Sequence, residues 1–319
     1  MSEPLLRVVD LKMHFHQGRD VVRAVDGVTF QVLGNQTFGL VGESGSGKST
    51  LARAVLRLHE PTEGRVYFEG RDVCSLSGRE LRALRRKMQI VFQDPLASLN
   101  PMMSVGAIVG DALKIHRVGT KREREEEVGR LLDLVGVGQR LADTFPHEFS
   151  GGQQQRVAIA RALALKPQFV ICDEPVSSLD LSIQAQILNL LESLQERFGL
   201  AYLFISHDLK VVEHLSDVVG VMYLGKLVEV GPTEALYGRP RHPYTQILLS
   251  SAPRLDPDAQ SERIILEGEV PSPIDPPSGC AFHPRCPYRM DRCSRETPQL
   301  MQVEPGHRAA CFLTEGGIE

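Results

Sequence analysis

The stretch Gly42-Glu43-Ser44-Gly45-Ser46-Gly47-Lys48-Ser49-Thr50 fits G-x-x-x-x-G-K-[ST], a pattern suited to cradling phosphates. Glycines let the backbone approach closely and take dihedrals closed to other residues. Consecutive N–H groups and the positive end of the following helix then face the phosphate oxygens. Lys48 would reach the β- and γ-phosphates, and the Ser49 hydroxyl would sit on Mg2+. A second group is Asp173-Glu174, directly after the apolar run Phe169-Val170-Ile171-Cys172. A carboxylate ending a buried strand can orient Mg2+ or its waters, and a second one beside it can orient and polarise an attacking water. A third is Ser150-Gly151-Gly152-Gln153, which opens a helix and is an anion cradle by the same physics as the first. One nucleotide needs one cradle, and here are two, about a hundred residues apart. The simplest geometry using both is a head-to-tail dimer, with the loop of one subunit and the turn of the other enclosing one ATP. A plain capped helix at Ser150 is the competing reading.

The elements that must position these groups are legible from periodicity. Residues 38–41 read as a buried strand leading into the glycine loop, and 51–56 as the helix leaving it. The chain before Leu33 reads as short strands, 65–70 and 88–92 as further strands, and 79–87 as a basic helix. Strand signals vanish from Leu96 to Phe149. There Lys121 to Glu127 is nearly all charge, and Val128, Leu131, Leu132 and Val135 recur at helical spacing, so this is an amphipathic helix with a solvated face. Helix 153–165, strand 169–172, helix 183–198, strand 201–205 and a hairpin of 218–223 with 226–230 follow. Such alternation predicts an α/β fold with a parallel sheet covered by helices, its ligands at the carboxyl ends of the strands. Gln93, Asp173-Glu174 and His207 all stand at such ends.

A chain of 319 residues exceeds one ordinary core, so one large domain with an appendage is expected. The net charge of -4 is unsuited to a nucleic-acid binder. No apolar run of about eighteen residues exists, and the first residues lack a signal-peptide pattern, which points to the cytosol, where disulfides are rare. Past Pro232 the composition shifts. Twelve of the twenty prolines lie from Pro240 onward, together with Cys280, Cys286, Cys293 and Cys311. A proline-dense segment makes a poor core of its own, so something else must hold it.

Taken in order, these motifs resemble the ATP-binding subunits of ABC transporters over residues 5–235. The resemblance implies the P-loop cassette fold: a RecA-like core, an antiparallel β subdomain and a helical subdomain at about 96–150. It implies that Phe15 stacks on adenine, that Gly42 to Thr50 holds the phosphates, and that Gln93 senses Mg2+ and the γ-phosphate. Phe149-Ser150-Gly151-Gly152-Gln153 corresponds to the family signature, with Phe149 where leucine is usual. That departure keeps an apolar residue. Asp173 and Glu174 correspond to the metal-orienting and catalytic carboxylates, Ser178-Leu179-Asp180 to the D-loop, and His207 to the histidine that contacts the γ-phosphate. Mg2+ would be held by Ser49, Gln93 and Asp173. Two further stretches, Gln93-Asp94-Pro95-Leu96-Ala97-Ser98-Leu99-Asn100-Pro101 and Arg241-His242-Pro243-Tyr244-Thr245-Gln246-Ile247-Leu248-Leu249, resemble dipeptide and oligopeptide importers, in their F-type ATPase subunit. The second opens that group's C-terminal extension, 236–319 here.

The tail cysteines are spaced C-x5-C-x6-C-x17-C. Four clustered thiols in such a tail suggest a metal centre that staples it. Zinc favours paired C-x2-4-C knuckles, which are absent, whereas a [4Fe–4S] cluster tolerates wider loops. The resemblance to peptide-importer ATPases also implies the cluster, with Zn2+ as the alternative.

The expected function is an ATPase at the cytoplasmic face of the membrane that drives uptake of dipeptides or oligopeptides. The implied partners are a second ATPase subunit, by resemblance a related chain forming a heterodimer, two transmembrane permeases and an extracytoplasmic peptide-binding protein. Nickel or glutathione import is the nearest alternative. A soluble ABC protein of translation or DNA repair is the rival from another class. Those carry two cassettes or a long coiled-coil insert, and this chain has neither.

Overall fold

The structure is a computed structural model and describes residues 3–251 and 269–314. Its strands are β1 (Leu6–Gln17), β2 (Asp20–Val32), β3 (Thr37–Val41), β4 (Glu63–Phe68), β5 (Arg71–Asp72), β6 (Met88–Val91), β7 (Phe169–Asp173), β8 (Ala201–Ile205), β9 (Val218–Tyr223), β10 (Lys226–Pro232), β11 (Met301–Glu304) and β12 (His307–Ala309). The helices are α1 (Lys48–Val55), α2 (Gly78–Leu84), α3 (Pro95–Ser98), α4 (Val105–Ile115), α5 (Lys121–Leu134), α6 (Gly151–Leu163), α7 (Leu181–Phe198), α8 (Leu209–Leu215), α9 (Thr233–Gly238) and α10 (Pro243–Ser250). The chain divides into two compact units. One holds the chain up to Leu33, Thr37–Ser75 and everything from Ile205, and the other holds Gly34–Gln36 and Leu76–Phe204.

In the first unit, β2-β1-β4-β5 form an antiparallel sheet. The short strands expected before Leu33 are in fact two long ones. Register shifts at Val8/Leu11 and Met13/His14, with Asp10 at φ 45, break the alternation within β1, so each half reads as a separate short strand. A second sheet runs β11-β12-β10-β9-β3. β3 is buried along its whole length and lies parallel to β9. That burial explains its continuous apolar run. The hairpin of β9 and β10 turns at Leu224 and Gly225, both at positive φ (42 and 77), which is what a two-residue hairpin turn of the primed type demands.

In the second unit the strand order is β8-β7-β6, with β6 and β7 parallel and α6 packed on β6. Residues 96–150 contain helices and turns and no strand, as the sequence predicts. In α5, Val128, Leu131 and Leu132 are buried, while Arg122–Glu126 and Lys121–Glu125 pair along the exposed face. Thr120 and Glu123 close a capping box at its start, a feature that contributes about 1 kcal/mol.

The C-terminal segment contains 252–268 and 315–319, which lie outside the described residues. Its described part borrows its core from the first unit. β12 pairs with β10, Glu229 opposite Ala309 and Val230 opposite Arg308. The Glu229 carboxylate, fully buried, accepts from the backbone N–H groups of Arg241 (2.7 Å) and His242 (2.9 Å) and lies 2.7 Å from Nε2 of His307. Tyr223, Tyr244 and Phe282 pack together, with ring centroids 4.7 Å (Tyr223–Tyr244) and 5.3 Å (Tyr223–Phe282) apart. A strand ladder, a buried carboxylate and an aromatic cluster therefore hold the tail, besides anything its cysteines bind.

His242 caps α10, its Nδ1 accepting from the Tyr244 N–H at 3.0 Å. Burial holds this imidazole neutral and lowers its pKa from 6.5 to about 4, against the pull of Glu229. The unfolded chain takes up the proton first as pH falls. The stabilisation is therefore complete above about 6.5 and is lost as pH drops toward 4. Stability should fall by about 2 kcal/mol from this residue between pH 7.5 and pH 5. Urea melts at both pH values check this, since His242→Asn, which keeps a capping side chain, should flatten the acid slope by that amount. An unchanged slope would mean that His242 is not held neutral.

Candidate functional site

The phosphate loop bridges β3 and α1 in the first unit. Two of its glycines are required by space as well as by dihedral angle. A Cβ on Gly42 (φ 153) would stand 2.1 Å from the Met222 carbonyl oxygen, and one on Gly47 (φ 104) 2.0 Å from that of Ala24. The loop thus lies directly on the backbone of β2 and β9. Lys48 is the first residue of α1 and is 5% exposed. Its Nζ donates to the carbonyl oxygens of Gly42 (2.8 Å) and Glu43 (3.0 Å), which holds the amine over the mouth of the loop. Ser46 is buried, while Ser44 and Gly45 are exposed at the tip and Ser49 and Thr50 are half-buried.

Two other predicted residues lie in this unit. His207 is exposed just past β8, where Ser206 donates from its N–H to the Leu40 carbonyl at 3.3 Å, two residues before Gly42. It is held by the start of α8, whose cap Asp208 accepts from the N–H groups of Lys210 and Val211. Phe15 is half-buried on β1, opposite Val22, with its ring edge-on to His59 at a centroid distance of 5.7 Å.

The second unit carries the carboxylates. The parallel register of β6 and β7 sets Val91 beside Cys172, so the residues two positions further on, Gln93 and Glu174, emerge side by side. The Gln93 amide donates to Oε2 of Glu174 at 3.0 Å. Asp173 is 2% exposed at the end of β7. Glu174 sits at φ 47, in the left-handed region that a non-glycine residue occupies only when its surroundings impose it. That turn takes its side chain out of the strand's alternation and toward Gln93.

The Ser150–Gln153 turn is a capping box. Oγ of Ser150 accepts from the Gln153 N–H, and the Gln153 side chain accepts from the Ser150 N–H at 3.0 Å. Gly151 is exposed, and Gly152 is buried where a Cβ would meet Ile183 Cγ2 at 2.5 Å. The start of α7 thus backs the turn. Asp180 caps that helix, accepting from the Ile183 N–H (2.9 Å) and the Ser182 hydroxyl (2.7 Å), and these bonds lower its pKa. The capping that the sequence left as a competing reading is present, and a glycine-opened helix start at the surface is present with it.

In the tail, Cys280, Cys286, Cys293 and Cys311 line one cavity of about 10 Å³, room for a water-sized body. Burial pushes up the thiol pKa of Cys280 and Cys286, and burial with the neighbouring thiols pushes Cys311 up to about 12. Thiols are the donor type that soft metals and clusters select. Among the described residues, however, no three His, Cys, Asp or Glu are close enough to hold a metal ion.

Sequence reasoning passed over two contacts of the phosphate loop. Glu43 donates its N–H to the Tyr244 hydroxyl at 2.9 Å, and its carboxylate pairs with Arg285 at 2.9 Å and 3.2 Å. Their partners are 201 and 242 residues away along the chain, and no spacing rule signals such contacts.

The ABC transporter family profile matches residues 25–177, and the profile "Oligopeptide/dipeptide transporter, C-terminal region" matches 228–293. A putative peptide import ATP-binding protein of Brucella ovis is 53% identical over 309 residues, covering 97% of this chain and 98% of the relative. The chain belongs to the ABC transporter ATP-binding proteins. The oligopeptide transport ATP-binding protein AppF of Bacillus subtilis is 51% identical over 322 residues, covering 98% of both chains. Among solved structures, the dimeric ATP-binding cassette MJ0796 bound to ADP and Pi shares the cassette fold with a TM-score of 0.66 at 29% identity. It covers 72% of this chain and 98% of its own. Fold and membership of the ABC family therefore agree with what the motif order implies, and the matches to these relatives extend over nearly the whole chain.

Proposed function

We propose that this chain is the ATP-hydrolysing subunit of a peptide importer. The observation that carries the reading is that a chain matching peptide import ATP-binding proteins over nearly its whole length has a sterically obligatory glycine loop in one unit and, in the other, a Gln93–Glu174 pair at adjacent strand ends. Lys48 and the loop N–H groups bind the phosphates of ATP, and Phe15 stacks on the adenine. Mg2+, when bound, would neutralise charge on the phosphates. Ser49, Asp173 and Gln93 are the residues that would hold it. Glu174 orients the attacking water and takes up its proton, and His207 holds the γ-phosphate. Positioning and electrostatics supply nearly all of the rate in such a site. The Ser150–Gln153 turn serves the ATP of a partner subunit, with Asp180 near the join, so the isolated monomer is a poor ATPase.

The cassette occupies residues 5–235 and the tail 236–319 in this reading. Among the described residues no helix is long and apolar enough to cross a membrane. Membrane passage then falls to two permeases, against which residues 96–150 dock from the cytoplasmic face, with a peptide-binding protein delivering substrate outside. A related ATPase chain completes the dimer. Affinity purification from membranes checks the partner set: the permeases and a second ATPase should co-purify, and recovery of this chain alone from the soluble fraction would contradict it.

In this reading the four tail cysteines would hold a [4Fe–4S] cluster, with zinc as the alternative, and its binding would have to draw together thiols that here line one cavity without forming a metal site. A cluster would supply a covalent staple between Cys280, Cys286, Cys293 and Cys311. Protein purified without oxygen is expected to be brown, with about four irons and four sulfides per chain. Colourless protein with one zinc per chain would favour zinc and rule out the cluster.

A further inference from the structure

The C-terminal tail and the phosphate loop meet through two side chains, Tyr244 and Arg285, that no motif of the cassette includes. We propose that Arg285 and Tyr244 are positioning residues of the phosphate loop, so that the C-terminal tail sets the affinity of this chain for ATP. The proposal rests on reading Gly42–Thr50 as the nucleotide loop.

Arg285 sits in a short 3-10 turn immediately before Cys286. Its side chain is only 7% exposed. It makes a two-pronged pair with Glu43, at 2.9 Å and 3.2 Å, and its Nη1 lies 3.5 Å from the Tyr223 hydroxyl. A planar fork on a carboxylate fixes direction as well as distance. Tyr244 acts on the backbone of the same residue, its hydroxyl accepting the Glu43 N–H at 2.9 Å. That ring is fully buried against Tyr223 and Phe282, and its helix start is fixed by the His242 cap and by Glu229.

Glu43 is therefore gripped at main chain and side chain by two separate parts of the tail. Glu43 also accepts Lys48 Nζ at its carbonyl oxygen, 3.0 Å away, so its position bears on the one lysine of the loop. Two physical effects follow. A loop held in one conformation loses less entropy when it closes on phosphate. A carboxylate beside a phosphate site repels the ligand unless a cation offsets it, and Arg285 is that cation. Loss of Arg285 removes both effects, and loss of the Tyr244 hydroxyl removes only the first.

The test is equilibrium titration of the full-length protein with a fluorescent ATP analogue, with a thermal melt of every variant. Arg285→Gln should raise Kd about ten-fold and Arg285→Lys, which keeps the charge without the fork, about three-fold. Tyr244→Phe keeps the ring and should raise Kd about three-fold. It carries the test if Arg285→Gln does not fold. In a Glu43→Gln background, Arg285→Gln should add less than about two-fold, because the unpaired carboxylate is gone. Lys48→Ala should abolish binding. If Lys48→Ala abolishes binding while Arg285→Gln and Tyr244→Phe bind like wild type, the tail does not position the loop and the proposal falls. The proposal also falls if Arg285→Gln costs as much with Glu43→Gln as without it. Wild-type binding by Lys48→Ala would instead overturn the reading of the loop itself.

Discussion

Glu174→Gln is expected to lower the ATP turnover number by about 10²- to 10⁴-fold and to leave ATP affinity nearly unchanged. The substitution is isosteric but removes the group that can take a proton from water. Its neighbour Gln93 donates to Oε2 at 3.0 Å, and a glutamine at 174 can still offer a carbonyl oxygen there, so the local fold should survive. The positive φ of Glu174 is imposed by the chain around it and is as available to glutamine as to glutamate. Binding without turnover should also accumulate the ATP-bound dimer. Size-exclusion chromatography with Mg-ATP should show the variant as a dimer where wild type returns to monomer. Wild-type turnover by Glu174→Gln would remove Glu174 from the chemistry.

The second large effect is structural. Gly45 and Gly47 stand two residues apart in the same loop and both have positive φ, 77 and 104. An alanine at Gly45 meets no atom within 4 Å, so its cost is the left-handed backbone alone, about 1 kcal/mol. An alanine at Gly47 meets the Ala24 carbonyl at 2.0 Å and Met222 Cε at 2.9 Å. The methionine end can move, but the carbonyl belongs to β2. The loop itself must therefore shift, at about 3–5 kcal/mol in all. Thermal melts should show Gly45→Ala close to wild type and Gly47→Ala strongly lowered, with nucleotide binding lost in the latter. Equal melts for the two would mean that the loop does not lie against Ala24 as described.

These contrasts show what kind of information the sequence carries. The glycine pattern named the loop, but only the packing of β2 and β9 distinguishes a glycine that needs space from one that needs only a dihedral angle. The central strands β3 and β7 were legible because burial on both faces makes them continuously apolar. β1 was misread in length because its register shifts break the period of two. β11 and β12 were missed because they are short and β11 is largely exposed, so no alternation marks them. The tail was expected to depend on its cysteines. Nothing local announces that Glu229 will meet His307, or that Glu43 will meet Tyr244 and Arg285, because those partners are brought together by the fold and not by spacing. By contrast, the pairing of Gln93 with Glu174 follows from two strand ends that the sequence places correctly, once their parallel register is known.

The most direct measurement is ATP-driven uptake of a labelled peptide into proteoliposomes that hold this chain with its permeases, partner ATPase and binding protein. With ATP on the side of this chain, dipeptide or oligopeptide should accumulate inside, and exchange of wild type for Glu174→Gln should reduce uptake to the level without ATP. Peptide uptake that proceeds equally well with Glu174→Gln, or ATP hydrolysis indifferent to every peptide supplied, would contradict an ATPase that powers peptide import.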